Sequence, residues 1–69
     1  MERLRITLAA ARVNAGKTQE DVASALHISK QTVVNWEKGR AIPNFATLNT
    51  LSSIYGISID DIILPVEST

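Results

Sequence analysis

The sequence predicts an all-α protein, a compact bundle of five short helices in one domain. Three observations support this prediction: apolar residues recur every three or four positions, cap residues stand before these segments, and isolated glycines follow them. The 69 residues suffice for one small core, so residues 1–69 are assigned to a single domain. No convincing strand, internal repeat or low-complexity segment is found, and helices are expected to form the whole fold.

The first predicted helix covers Met1 to Asn14 and is amphipathic. Gly16 follows it as a stop signal. Its role is to support the helices that follow. Its buried face is expected to consist of Leu4, Leu8, Ala11 and Ala15.

Two short helices joined by a tight turn form the centre of the predicted fold. The first opens at Thr18, whose hydroxyl can accept from the amide of Asp21 in a capping-box-like start. It ends near His27, which is expected to adopt a left-handed conformation. The second helix begins after Ser29 as N-cap and ends at Gly39. A connection this short forces a sharp angle between the two helices.

The second helix of this pair has two unlike faces. At about 100° per residue, Val33 and Trp36 point the same way and are expected to be buried. On the other side, amides can pair with adenine, lysine can donate to guanine or phosphate, and a valine methyl can contact thymine. A solvated surface would explain the same composition on an isolated helix, but the preceding helix and tight turn favour a major-groove reader. The residues of this outer face are Lys30, Gln31, Val34, Asn35 and Lys38.

Two more helices are predicted after a loop. Pro43 excludes a continuous helix through the loop. The fourth helix runs from Phe45 to Tyr55, two aromatic residues expected in the core or at its rim, and Gly56 stops it. The fifth starts at Ser58 and is ended by Pro65.

This arrangement resembles the lambda-repressor-like, Cro-type (xenobiotic-response-element-type) helix-turn-helix family. His27 and Val34 depart from the family pattern, which often has Gly or Asn at the first position and Ser at the second. The closing segment S-I-D-D-I-I also matches. The other residues that carry the resemblance are Thr18, Gln19, Val22, Ala23, Leu26, Ile28, Ser29, Thr32, Val33, Trp36, Glu37, Gly39, Pro43, Leu48, Leu51 and Tyr55.

The resemblance implies a sequence-specific regulator of transcription that binds double-stranded DNA, a repressor of prokaryotic or phage origin. Residues 29–38 would enter the major groove. Arg12 would pair with Glu37 beneath a phosphate and so support the reading helix, with a solvated Arg12 as the alternative. Base contacts are assigned to Lys30, Gln31, Val34 and Asn35.

The predicted phosphate contacts lie at the starts of both central helices and in the loop after them. Asn44 is explained equally well as the N-cap of the fourth helix. The full set is Gln19, Ser29, Thr32, Lys38, Arg40 and Asn44.

Composition narrows the function classes further. The chain has no cysteine and one histidine, so no metal site or cofactor is expected, and its scattered serines give no basis for an enzyme. No apolar run reaches the roughly 20 residues of a membrane span, and no secretory signal is evident. A cytoplasmic, nucleoid-associated protein without an effector domain or a membrane partner is expected. Its net charge is zero, but an uneven distribution can still present a basic side to phosphates.

The C-terminal segment has more apolar side chains than a one-turn helix can bury. An exposed apolar patch often marks an interface, and a two-fold dimer can place two reading helices on a pseudo-palindromic operator. The alternative is that these residues complete the monomer core. Val66 to Thr69 are expected to form a flexible tail. The predicted homodimer interface consists of Ile57, Ile59, Ile62, Ile63 and Leu64.

A protein-interaction module, such as an antitoxin-like domain that retains the same fold, is the competing functional class. Such a module would be free to replace the hydrogen-bonding residues of the outer face by acids or apolar residues. The sequence keeps Lys30, Gln31 and Asn35 and has no acid on this face. This composition favours DNA binding.

Overall fold

The computed structural model describes residues 5–64 as a mostly helical domain with one small sheet. The all-α class is therefore confirmed for the bulk of the fold, whereas the bundle of five helices is not. The elements in chain order are β1 (Ile6–Thr7), α1 (Leu8–Asn14), α2 (Gln19–Leu26), α3 (Lys30–Lys38), α4 (Phe45–Tyr55), a 3₁₀ helix (Ile59–Asp61) and β2 (Ile62–Ile63).

Both central helices begin and end where the sequence predicts. The hydroxyl of Thr18 accepts from the amide of Asp21 at 3.0 Å, and the Asp21 carboxylate accepts from the amide of Thr18 at 2.9 Å. At the start of α3 the hydroxyl of Ser29 accepts from the amide of Thr32 at 3.3 Å, without a reciprocal bond. His27 ends α2 with φ 58° and ψ 44°, and Gly39 ends α3 with φ 81°. These residues account for the tight turn and for the separation of the two helices.

The fourth helix is also confirmed. Asn44 is its N-cap and accepts from the amide of Thr47 at 2.8 Å, while Gly56 ends it at φ 70°. Tyr55 is buried, as expected. Phe45 is 71% exposed at the first position of the helix and lies outside the core.

The first helix begins at Leu8, later than predicted. Thr7 has extended backbone angles, and its hydroxyl accepts from the amide of Ala10 at 3.1 Å, so it is the N-cap of α1. Ile6 and Thr7 form β1 instead of helix. Residues 1–4, where the prediction placed the helix start together with Leu4, lie outside the described residues.

The predicted fifth helix is replaced by one 3₁₀ turn and a strand. Residues Ile59–Asp61 form the turn, and Ile62–Ile63 form β2, which pairs in parallel with β1. In this register Ile6 lies opposite Ile62. Because β-branched side chains favour extended backbone, and because β1 offers hydrogen-bonding partners, strand geometry prevails over helix here. The expectation of no strands was therefore wrong, while Pro65 and the predicted tail lie outside the described residues.

The core lies where the helices meet. Partly buried side chains from the turn, α3, α4 and the C-terminal segment pack around it, including Ile28, Trp36 and Ile62. Its position fixes which side of α3 faces inward. The buried residues are Leu8, Ala11, Val22, Ala23, Val33, Leu51 and Tyr55.

Candidate nucleic-acid interface

Helix α3 has one face in the core and another in solvent. Val33 is buried and Trp36 is half-buried, so the predicted inner side is correct. Glu37 is the one acid of this helix, and its side chain is only 7% exposed. The outward side therefore presents amides and cations without an acid from α3. Its residues are the exposed Lys30, Gln31 and Lys38 and the half-buried Val34 and Asn35.

The Glu37 carboxylate is held by two other helices. Arg12 of α1 donates from Nε to Glu37 Oε2 at 2.7 Å and from Nη2 to Oε1 at 3.3 Å. Gln19 of α2 donates from Nε2 to the same Oε1 at 2.9 Å. The hydrogen bond to Glu37 also raises the pKa of Arg12 above its usual value. The ion pair implied by the family resemblance is thus present, and this carboxylate cluster ties α1, α2 and α3 together.

Tyr55 of α4 lies within electrostatic range of this cluster. Burial raises the pKa of its phenol to about 12, the negative charge of Glu37 adds to the rise, and the positive charge of Arg12 opposes it. The phenol therefore stays neutral at physiological pH. The sequence predicts that Tyr55 is a core residue, but the electrostatic coupling depends on packing that has no local signal.

Two of the predicted base-reading residues contact each other. Gln31 Nε2 donates to Asn35 Oδ1 at 3.0 Å, one helical turn apart. This bond leaves the Gln31 oxygen as an acceptor and the Asn35 nitrogen as a donor. Adenine presents the complementary pattern in the major groove, an N6 donor beside an N7 acceptor. The two amides can therefore read a base as one unit.

Lys30 has a partner that the sequence did not indicate. Its Nζ lies 3.4 Å from Oε2 of Glu20, and the two side chains are 53% and 69% exposed. Glu20 is the second residue of α2, and Lys30 is the first of α3. The angle at the tight turn brings them together. From capping signals and helical periodicity alone, Glu20 is explained only as an acid that is favoured at the start of a helix.

The residues predicted to contact phosphates differ in whether their side chains already bond within the protein. Lys38 and Arg40 are exposed at the end of α3 and just after it. The hydroxyls of Ser29 and Thr32 lie 3.0 Å apart at the start of α3. The Gln19 amide is engaged by Glu37, and the Asn44 side chain caps α4. Among the described residues, the side chains of Lys38 and Arg40 are therefore the members of this set that hold no other side chain or helix end in place.

The predicted dimer residues fall into two groups, those that pack on the core of their own chain and those that do not. Ile57, Ile62 and Leu64 pack against the core of their own chain, so the alternative of core completion applies to them. Ile59 and Ile63 are half-buried but do not belong to that packing. Core packing within the described residues therefore accounts for three of the five predicted dimer residues.

Residues 5–64 offer neither a membrane-spanning helix nor a cluster of metal ligands. None of the helices in this range is long and apolar enough to cross a membrane. The same range contains no group of three or more His, Cys, Asp or Glu side chains that could hold a metal ion.

Comparison with protein families gives one match over most of the chain. A family model described as Helix-turn-helix matches residues 8–62. The matched segment begins at the first residue of α1 and ends at the first residue of β2. It therefore includes the tight turn, the outward face of α3 and the carboxylate cluster.

Several curated proteins are similar over the same region. The HTH-type transcriptional activator BcrR of Enterococcus faecalis is 31% identical over 52 residues, which cover 75% of this chain and 26% of BcrR. The uncharacterized HTH-type transcriptional regulator MJ0272 of Methanocaldococcus jannaschii is 36% identical over 47 residues, covering 68% of this chain and 71% of MJ0272. The cryptic phage CTXphi transcriptional repressor RstR of Vibrio cholerae is 32% identical over 57 residues, covering 83% of this chain and 51% of RstR. The chain thus spans about a quarter of BcrR and about half of RstR.

Proposed function

We propose that this chain, which belongs to the helix-turn-helix family of transcriptional regulators, binds an operator in double-stranded DNA by placing α3 in the major groove. One observation carries the proposal: the outward face of α3 offers amides and cations, while the single acid of the helix is turned inward. Glu37 is neutralised there by Arg12 at 2.7 Å. This distribution suits base edges and phosphates.

We assign base reading to the outward residues near the start and middle of α3. The amide pair of Gln31 and Asn35 matches adenine, the Val34 methyl groups suit a thymine methyl, and Lys30 suits guanine. Lys38 and Arg40 would anchor the phosphate backbone and set the salt dependence. Ser29 and Thr32 would add hydroxyl contacts at the helix start.

The carboxylate cluster would act as a rigid support for this interface. Gln19 and Arg12 meet at the Glu37 carboxylate, so the start of α2 and the inner side of α3 are fixed relative to each other. Helix starts carry free amides that suit phosphate oxygens. A phosphate bound at the start of α2 would therefore be held at a set distance from the reading face.

We further propose that the regulator acts as a repressor and binds as a two-fold dimer. Repression needs only occupancy of an operator that overlaps a promoter, and the matched relatives include both an activator and a repressor. One reading helix contacts too few base pairs for specificity, whereas a dimer places two helices about 34 Å apart. Ile59 and Ile63 are the proposed contact between the two chains.

Selection of bound sequences from a random DNA pool tests the main proposal. The recovered site should show two related halves, and its affinity should be measured for Gln31→Ala, for Asn35→Ala and for the double variant. Each single variant is expected to lose about 1–3 kcal/mol of binding free energy. The double variant should lose less than the sum because the two amides are hydrogen-bonded to each other.

A matched control is Asn49→Ala, which removes an exposed amide from α4 instead of α3. It should bind like the parent. Parent-like binding by both Gln31→Ala and Asn35→Ala would show that α3 does not read the site.

A further inference from the structure

We propose that Glu20 is a specificity-determining residue, which reads a G·C base pair together with Lys30. The inference rests on the proposed placement of α3 in the major groove. It adds a residue of α2 to an interface otherwise assigned to α3. It also names the base pair that this part of the interface prefers.

The geometry brings two opposite charges together at the edge of the reading face. The Lys30 ammonium and the Glu20 carboxylate are 3.4 Å apart, although the residues belong to different helices. Both side chains are more than half exposed. A base edge on the Glu20 side of the Lys30 ammonium therefore lies within reach of the Glu20 carboxylate.

This pair of groups is complementary to the major-groove edge of a G·C pair. Guanine presents acceptors at O6 and N7, which suit the Lys30 ammonium, and cytosine presents a donor at N4, which suits a carboxylate. O6 and N4 are hydrogen-bonded to each other in the base pair and so lie about 3 Å apart. The spacing of the two side-chain groups matches this distance. With adenine in the place of guanine, an A·T pair reverses this order and places the N6 donor against the ammonium. In the opposite orientation thymine O4 and adenine N6 keep the order, but the thymine methyl stands where guanine N7 would offer the ammonium a second acceptor.

The ion pair between Glu20 and Lys30 adds little to folding, whereas its charges matter more beside DNA. An exposed pair contributes at most about 1 kcal/mol to folding. Next to DNA, an unsatisfied carboxylate is repelled by the phosphates, so Glu20 lowers affinity wherever it lacks a donor. A cytosine N4 group supplies that donor. Glu20 should therefore favour one base pair and disfavour all other DNA.

The test compares base preferences in selected sites for the parent, Lys30→Gln and Glu20→Gln. The parent should prefer G·C over A·T at one position of each half-site by about 5- to 150-fold. Both variants should relax that same position, and the double variant should relax it no further. Glu20→Gln should also bind non-operator DNA at least as tightly as the parent, which a folding defect would not produce.

Glu20→Asp is the matched control because it keeps the charge and shortens the side chain by one methylene group. If the Glu20 carboxylate contacts the base directly, Glu20→Asp should lose most of the preference for G·C. An unchanged preference in both Glu20 variants would overturn the inference, and so would relaxation in Lys30→Gln alone. In that case, a base preference that still depends on Gln31 and Asn35 would leave the proposed function intact. A parent protein without any sequence preference would refute the proposed function itself.

Discussion

At the residue scale, Glu37 determines the electrostatic character of the interface. It is the only acid of α3, and an outward orientation would place its charge beside the DNA phosphates. Its inward orientation, with 7% exposure, requires partners that replace water. Arg12 and Gln19 provide these partners at 2.7 and 2.9 Å. The same carboxylate therefore holds three helices together and, in the proposed interface, keeps negative charge away from the DNA.

Removal of the cationic partner should be costly. Arg12→Met leaves the Glu37 carboxylate largely buried without its ion pair. The expected loss is on the order of 2–3 kcal/mol in the free energy of unfolding, below the 3–5 kcal/mol typical of a fully buried pair. Urea unfolding followed by circular dichroism measures it.

The matched control for Arg12→Met is the double variant Arg12→Met, Glu37→Leu. It removes both charges and should recover most of the lost stability. A loss below about 0.5 kcal/mol in the single variant would place the pair among ordinary surface ion pairs.

At the element scale, local signals in the sequence predicted α2, α3 and α4 well, but not the start of α1 or the 3₁₀ turn and strand in place of a fifth helix. The caps Thr18, Ser29 and Asn44 act on amides within their own first turn, so their effect is visible in a short stretch of sequence. The strands could not be predicted in this way. Ile6 pairs with Ile62, and nothing in either dipeptide indicates a partner so distant in the chain. The periodicity around Leu8 also concealed the cap at Thr7.

In the candidate interface, too, local features could be predicted from the sequence and contacts between helices could not. Helical periodicity was enough to separate the outward residues of α3 from Val33 and Trp36. The bond from Gln19 to Glu37 and the Lys30–Glu20 pair were missed because they depend on the angle between α2 and α3. Spacing along one helix carries no information about that angle.

The capping box of α2 predicts a specific response to acid. Hydrogen bonds from the backbone amide and the hydroxyl of Thr18 lower the pKa of Asp21 below its usual value. The folded state therefore favours the ionised carboxylate. This contribution to stability is present above the unfolded pKa of about 3.8 and is lost as pH falls through the lower, folded-state value.

Asp21→Asn should be less stable than the parent at neutral pH, and the difference should shrink as pH falls through this window. Thermal unfolding measured from pH 6 to pH 2 tests the prediction. Glu20→Gln is a suitable control because it removes a neighbouring acid outside the capping box. A difference between parent and Asp21→Asn that does not change with pH would contradict the role of the carboxylate.

At the scale of the whole molecule, the phenol of Tyr55 limits stability at alkaline pH. Burial, assisted by Glu37, raises its pKa from 10.0 to about 12. Between these values the unfolded chain releases the phenolic proton while the folded protein retains it, so stability decreases as pH rises. Two pKa units correspond to about 3 kcal/mol.

The Tyr55→Phe variant has no phenol, so it should not show this part of the stability loss at alkaline pH. Lysines that deprotonate in the same pH range affect the parent and the variant alike. Urea unfolding of parent and variant at pH 9, 10, 11 and 12 isolates the difference. The parent should lose stability relative to Tyr55→Phe across the series. Parallel curves would show that the phenol ionises equally in both states.

The proposed assembly of two chains on DNA is also tested at the scale of the whole molecule. Ile57, Ile62 and Leu64 pack on their own core, so the proposed contact with a partner chain is limited to Ile59 and Ile63. A contact of this size is too small for a stable dimer in solution, so assembly should be completed on the operator. Sedimentation should therefore show a monomer of the free protein and two chains on an operator with two half-sites.

Ile59→Asp is the sharpest variant because Ile59 is outside the residues that pack on the core. It should bind a single half-site with parent-like affinity but should lose cooperative binding to the full operator. Val13→Asp is the matched control, since Val13 is 62% exposed on α1 and has no proposed contact. A five-base-pair insertion between the half-sites should also abolish cooperativity in the parent, because it rotates one half-site to the opposite side of the helix. Retained cooperativity in Ile59→Asp would rule out this contact, and retained cooperativity after the insertion would rule out a rigid two-fold dimer.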